Sequence, residues 1–248
     1  MSSKTLVFNV LVTLLLCLGL AAAKKPRAHY IKPCSKSAPD FDECCVAHGR
    51  EALPFIVQGD KEYKIPSLNP LELSEVSLDS NGFKIAMKHL QAYGFDKNDL
   101  RKVKFDFDKK MADIRIFFDK LELLGDYEVG GKIILIPIEG TGKANFTIVD
   151  IDVNYTINYK LVDKEGEGYF AVDTSSADFT CSRTYIDIAD LFGGNKELSD
   201  ATNKALNDNW DQFIDALKPV VTQTIVQIGD AIINGFGSTV PFNDIFYD

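Results

Sequence analysis

The chain has 248 residues, 46% of them hydrophobic, and carries 36 acidic against 27 basic side chains, a formal net charge of −9. That length and apolar content can bury one sizeable core. An acidic balance with no basic cluster beyond Lys24–Arg27 argues against nucleic acid and anionic membrane surfaces as partners.

One lysine, Lys4, precedes an apolar run from Leu6 to Leu20, then Ala21, Ala22, Ala23 and the charged Lys24. A weakly basic start, a short apolar core and small residues define a secretory signal peptide over residues 1–23, leaving one domain over 24–248. The run is short for a bilayer span and no later stretch is longer, so stable membrane insertion is not expected. Cys17 leaves with the signal. Cys34, Cys44, Cys45 and Cys181 remain, and four cysteines allow three pairings.

Cys34 and Cys44 bracket a loop that precedes a helix-like segment, and a bridge there would stabilise by about 2–3 kcal/mol. If helical, Cys44 and Cys45 point about 100° apart, so one can face the loop and the other inward. Cys45 and Cys181 either pair or stay as buried thiols. From Asp40 to about Val57 the chain reads as a helix. Asp40 with Glu43 resembles a capping box, and Val46, Leu53, Ile56 and Val57 give an apolar side. Gly49 and Pro54 predict a kink or an early stop.

From Leu71 to Ile188 apolar and polar residues alternate, as in Val103, Phe105, Phe107 and in Ile114, Ile116, Phe118. Turn signals fall at Gly94, Asp108–Lys110, Gly130–Gly131, Gly140–Gly142 and Glu165–Gly168, which predicts a meandering antiparallel sheet. Ala144, Phe146 and Ile148 lie on even positions, whereas Ile151, Val153, Tyr155, Ile157 and Tyr159 lie on odd ones. A bulge near Val149–Asp150 would restore one buried face. It would also turn the glycosylation sequons at Asn145 and Asn154 outward.

Asn195 to Phe236 repeats apolar residues three and four apart, the spacing of one helical face. Asn195 is the predicted N-cap, Glu197 lies in the first turn, and Gly235 and Gly237 are stop signals. Such a helix would be about 55–60 Å long, with a bend near Ala216–Lys218 ahead of Pro219. It lacks the charged flanks of a coiled coil, so the sheet must cover its stripe.

Little of the sequence carries reaction chemistry. His29, His48 and His89 show no paired metal-ligand spacing, no G-x-S-x-G occurs, and neither Gly131-Lys132 nor Gly142-Lys143 continues as a phosphate loop. The acids sit at alternating strand positions, as a solvated sheet face requires. No enzyme, cofactor or metal is expected. The apolar interior is either a filled core or an elongated cavity, which periodicity does not separate.

Pro33-Cys34, Cys44, Ala52-Leu53-Pro54 and the run Ile65 to Leu71 resemble the opening of the insect takeout/haemolymph juvenile-hormone-binding family. Leu191 to Leu198, Leu206-Asn207, Asn209-Trp210, Leu217-Lys218-Pro219 and Val240-Pro241-Phe242 match its C-terminal half in the same order. The resemblance implies an α+β fold: a long C-terminal helix wrapped by a highly curved antiparallel sheet, like tubular lipid-binding domains, plus a short N-terminal helix. It also implies a Cys34–Cys44 bridge and a tunnel for a juvenile-hormone-like terpenoid or a fatty acid. Cys45 is extra, and the long helix has no cysteine for the second bridge of the moth hormone carriers, which favours the takeout branch. The expectation is a secreted, monomeric carrier of one hydrophobic small molecule. Its lining residues are Val46, Leu53, Phe105, Phe107, Ile116, Phe118, Tyr155, Ile157, Trp210, Phe213, Ile214 and Leu217. The alternatives are a signalling or interaction protein, or a hydrophobic-ester hydrolase with a nucleophile near His48 or His89.

Overall fold

The computed structural model describes residues 26–80, 82–133 and 135–248. The expected signal peptide lies outside the described residues. Strand β1 (Cys34–Ser35) leads into helix α1 (Phe41–Gln58). A seven-stranded sheet follows: β2 (Leu71–Ser80), β3 (Phe83–Tyr93), β4 (Asn98–Asp106), β5 (Met111–Ile133), β6 (Ile136–Lys164), β7 (Glu167–Thr180) and β8 (Arg183–Ile188). Helices α2 (Lys196–Asp208), α3 (Trp210–Gly237) and α4 (Phe242–Ile245) and strand β9 (Phe246–Tyr247) complete the chain.

The sheet is antiparallel throughout and runs β2-β3-β5-β6-β7, with β4 beside β5 and β8 beside β6. Both of its ends reach the same helix. Ile228 and Ile232 of α3 pack with Leu71 and Leu73 of β2, and Asn234 of α3 accepts a hydrogen bond from the Val172 N–H of β7. Two strands that far apart in one sheet can touch one helix only if the sheet curls around it. The expected architecture is therefore present, with the sheet unclosed.

The expected strand breaks at Gly130–Gly131 and Gly140–Gly142 do not occur. Both pairs lie inside β5 and β6, whose ladder continues to Ile133↔Ile136 and makes strands of 23 and 29 residues. These glycines serve close approach instead. Gly131 (φ 111°) has no room for a Cβ against the Gly82 carbonyl, and a Cβ on Gly142 would stand 2.9 Å from the Ala189 carbonyl oxygen.

The change of buried parity on β6 is real, but no bulge makes it. Register with β5 is unbroken from Phe118↔Ile151 to Lys120↔Val149. The inward residues of β5 switch from even to odd at the same rung, between Phe118 and Leu121. A bulge is needed when one strand changes phase and its neighbour does not; here both change. Asp150, with φ 52°, takes the turn of the backbone on β6.

The expected single helix from Asn195 to Phe236 is two helices. The break falls at Asn209, whose φ −123° and ψ 37° are not helical; its backbone N–H still donates to the Ala205 and Leu206 carbonyls, and its side-chain amide also donates to Ala205. Pro219 sits inside α3 without ending it. The Asn195 cap is formed: its side chain accepts from the Leu198 N–H at 3.2 Å.

In α1 the expected capping box is missing, because Asp40 makes no side-chain cap bond; its carbonyl accepts from the Cys44 N–H. Pro54 does not stop the helix, which runs to Gln58 and ends at Gly59 with φ 79°. The buried side of α1 is Phe41, Cys45, Ala52 and Val57, while Val46 and Leu53 are half-buried on its flank. The Cys34–Cys44 disulfide is formed and joins β1 to α1. Cys45 and Cys181 are free thiols.

Candidate functional site

The apolar side of helix α3 is incompletely shut from solvent. Its stripe toward the concave side of the sheet is Ile214, Leu217, Val221, Ile225, Ile228 and Ile232, spaced three and four apart. Each of the six keeps accessible surface even though each packs against a core cluster. The sheet residues that meet them do the same: Leu73, Val76 and Leu78 of β2, Ile116, Leu121 and Leu123 of β5, and Ile148 of β6. By contrast Phe213 is 1% exposed and stacks on Phe146 at 6.0 Å. In a close-packed core facing apolar side chains shut each other from solvent. Here they do not, over a strip that runs most of the length of the helix.

The strip is apolar and its few polar neighbours are already occupied. The Tyr127 hydroxyl donates to the Ala189 carbonyl, and burial pushes that phenol up to about 12. Tyr155 donates to the Asp230 carboxylate, and burial first, then Asp230, hold its phenol well above its usual range. Cys181 packs beside Ile214, Val221 and Ile225, and burial raises its thiol. Among the described residues, no ion pair involves Asp230. The arrangement can desolvate an apolar guest.

One end is stopped by interlocked rings. Phe41, Phe105, Phe107, Phe242 and Phe246 form a single cluster in which Phe105 and Phe246 stand 4.7 Å apart. The pairing of Cys34 with Phe246 in the β1–β9 ladder holds the two chain ends over it.

The expected lining residues are thus divided among several places. Ile214 and Leu217 lie on the strip, with Trp210 at its beginning under the Arg183 guanidinium, 5.6 Å away. Ile116 and Phe118 face its middle. Phe105 and Phe107 belong to the ring cluster, and Tyr155 and Ile157 lie between that cluster and α3. Phe213 is filled core, and Val46 and Leu53 stand apart on α1. Val221, Ile225, Ile228 and Ile232 were part of the helical stripe but not of the expected lining. Their spacing marks them as inward, and nothing in the sequence says which inward positions meet a gap.

A cleft of about 460 Å³ opens on the outer face, lined by His89, Gln91, Asp126, Lys143, Asn145 and Asp187. There Asn145 is half-buried and its Oδ1 has no hydrogen-bond partner, whereas Asn154 is exposed. His89 accompanies Asp126 at 3.0 Å on this outer face, and His48 lies against the disulfide, so neither histidine borders the strip.

The family model of haemolymph juvenile hormone binding protein matches residues 11–247. The chain belongs to that family. Among its relatives is the circadian clock-controlled protein daywake of Drosophila melanogaster, 23% identical over 217 residues that make up 83% of this chain and 84% of daywake. The Drosophila yakuba daywake is similar to the same degree, at 23% identity. The crystal structure of Epiphyas postvittana Takeout 1 superposes with a TM-score of 0.80 at 25% identity, covering 88% of this chain and all of that one. The family's fold, a helix enclosed by a curved sheet, is the one described above. No helix among the described residues is long and apolar enough to cross a membrane.

Proposed function

We propose that the protein is a secreted, monomeric carrier that holds one elongated hydrophobic small molecule, a juvenile-hormone-like terpenoid or a fatty acid, along α3. Membership of the haemolymph juvenile hormone binding protein family supports a hydrophobic cargo. The observation that carries the reading is the strip from Ile214 to Ile232, whose apolar side chains face other apolar side chains without closing on them. A guest placed there gains about 0.8 kcal/mol per buried methylene, which suits binding without chemistry. Secretion rests on the N-terminal signal sequence, and glycosylation at Asn145 and Asn154 rests on their sequons.

The test is to purify the protein from culture medium, extract it with organic solvent and identify what is released, alongside native mass spectrometry. One apolar molecule per chain is expected, and Ile214→Trp is expected to exclude it while leaving the fold. A folded wild-type protein that carries no apolar compound and takes up no lipophilic fluorescent probe would overturn the proposal.

A further inference from the structure

We propose that reduction of the Cys34–Cys44 bridge creates a binding site for a zinc-type divalent cation, formed by the two thiolates and His48. The site is independent of the carrier reading. Cys44 and His48 are four residues apart on α1, hence on one face, and Cys34 faces them from β1. The His48 Nδ1 atom lies 3.4 Å from Cys34 Sγ and 3.5 Å from Cys44 Sγ, and all three ligand atoms fall within 4.8 Å of one another.

Those separations match metal ligation. Tetrahedral zinc with bonds of about 2.3 Å to sulfur and about 2.0–2.1 Å to nitrogen sets sulfur and nitrogen ligands about 3.5 Å apart. The imidazole therefore already stands at ligand distance from both sulfurs. Only the sulfurs must part, and cleavage of their bond lets them. Cys34 is buried, while Cys44 and His48 are half-buried, which leaves a solvent side for water as the fourth ligand. Cys45 is no competitor: it packs with Phe41 in the ring cluster, and burial, reinforced by Asp42, pushes its thiol up to about 12.

Two equivalents of a small-molecule thiol reduce the bridge, yielding two protein thiols and one small-molecule disulfide. Binding of the cation then releases both thiol protons to solvent. The same two segments stay tied in either redox state, by a covalent bond or by a metal. Through the pairing of Cys34 with Phe246, either tie also holds the C-terminus over the ring cluster.

The experiment is a Co²⁺ titration of the full chain, oxidised and after reduction by a phosphine that does not bind metal. The expected result is one equivalent of tetrahedral, thiolate-bound Co²⁺ in the reduced protein, displaced by Zn²⁺, and none in the oxidised protein. His48→Ala is expected to weaken binding about tenfold or more, whereas Cys45→Ser leaves it unchanged. A reduced protein with no thiolate-to-cobalt absorption, or one whose cobalt affinity is unchanged by His48→Ala, overturns the proposal. If the reduced metal-free chain unfolds, one equivalent of Zn²⁺ must restore its near-ultraviolet circular dichroism, and failure to do so overturns it equally.

Discussion

Gly229 of α3 lies directly under the ring of Tyr155: a Cβ built on the glycine would stand 2.8 Å from Tyr155 Cζ. Only the Tyr155 ring separates helix from sheet there, and the Tyr155 hydroxyl reaches past to the Asp230 carboxylate. An exposed helical glycine usually gains about 1 kcal/mol on replacement by alanine. Here the added methyl must displace a buried ring, so Gly229→Ala is expected to destabilise by about 1–3 kcal/mol. Urea denaturation measures it, and a stabilised variant would show that the contact is slack.

Asn203 and Asn207 of α2 act as a ladder for the open edge of β8. Each accepts from and donates to one residue of β8, Asn203 with Ile188 at 2.9 and 2.8 Å and Asn207 with Ile186 at 3.0 and 2.7 Å, and also donates to a carbonyl one turn back in α2. Asn207→Ala leaves both backbone groups of Ile186 without partners, at a cost of about 1–3 kcal/mol. Amide exchange at Ile186 should accelerate more than at Ile188. Equal, unchanged protection of both would mean that water substitutes freely.

Much of this was legible in the residues and some was not, for physical reasons. The inward and outward faces of β5 and β6 follow from alternation, because every other side chain must be apolar. The glycine pairs at 130–131 and 140–142 misled because glycine serves both tight turns and the close crossing of another strand, and sequence shows only the absence of a side chain. The helix breaks at Asn209 through its non-helical backbone angles, inside an apolar period that continues without interruption on either side. On α1 Val57 is buried as its spacing suggests, but Cys45 and Ala52 are buried where Val46 and Leu53 are only half-buried, and Leu100 of β4 sits against Gly49 of that helix.

The strip from Ile214 to Ile232 measures about 27 Å at about 1.5 Å per residue. Affinity for a homologous series of lipophiles should therefore rise by about 0.8 kcal/mol, roughly fourfold, per added methylene until that length is filled, then level off. Displacement of a fluorescent lipid analogue would trace the curve. An affinity indifferent to chain length would place the guest elsewhere.

Asp152 joins three strands on the outer face. It accepts from Arg115 of β5 at 2.7 and 2.9 Å and from Arg101 of β4 at 2.8 Å, while only 13% of its side chain is exposed. Arg115 first, with Arg101, holds its carboxyl below the usual range. The stabilisation is thus fully present above the unfolded value of about 3.9 and is lost as pH falls through the lower folded value. Arg115→Gln should lower the melting temperature at pH 7 and flatten its decline between about pH 4 and pH 2. A variant whose acid profile parallels the wild type would exclude this pair as a source of acid sensitivity.

The two sequons differ in access. Asn154 is exposed on β6, whereas Asn145 sits half-buried in the outer cleft with a sealed Oδ1. Glycosidase acting on the native secreted protein should remove a glycan from Asn154 readily and one from Asn145 only after denaturation. Mass spectrometry of the two glycopeptides decides it, and equal release from both would contradict the difference.

The spindle of this molecule follows its sheath along the chain. Residues 71–188 contribute the whole curved sheet, and α3 begins only at Trp210. Synthesis runs from the N-terminus, so the greasy trough precedes the axle that covers it. A chain truncated before α3 would therefore be an uncovered, adhesive sheet and not a smaller version of this protein.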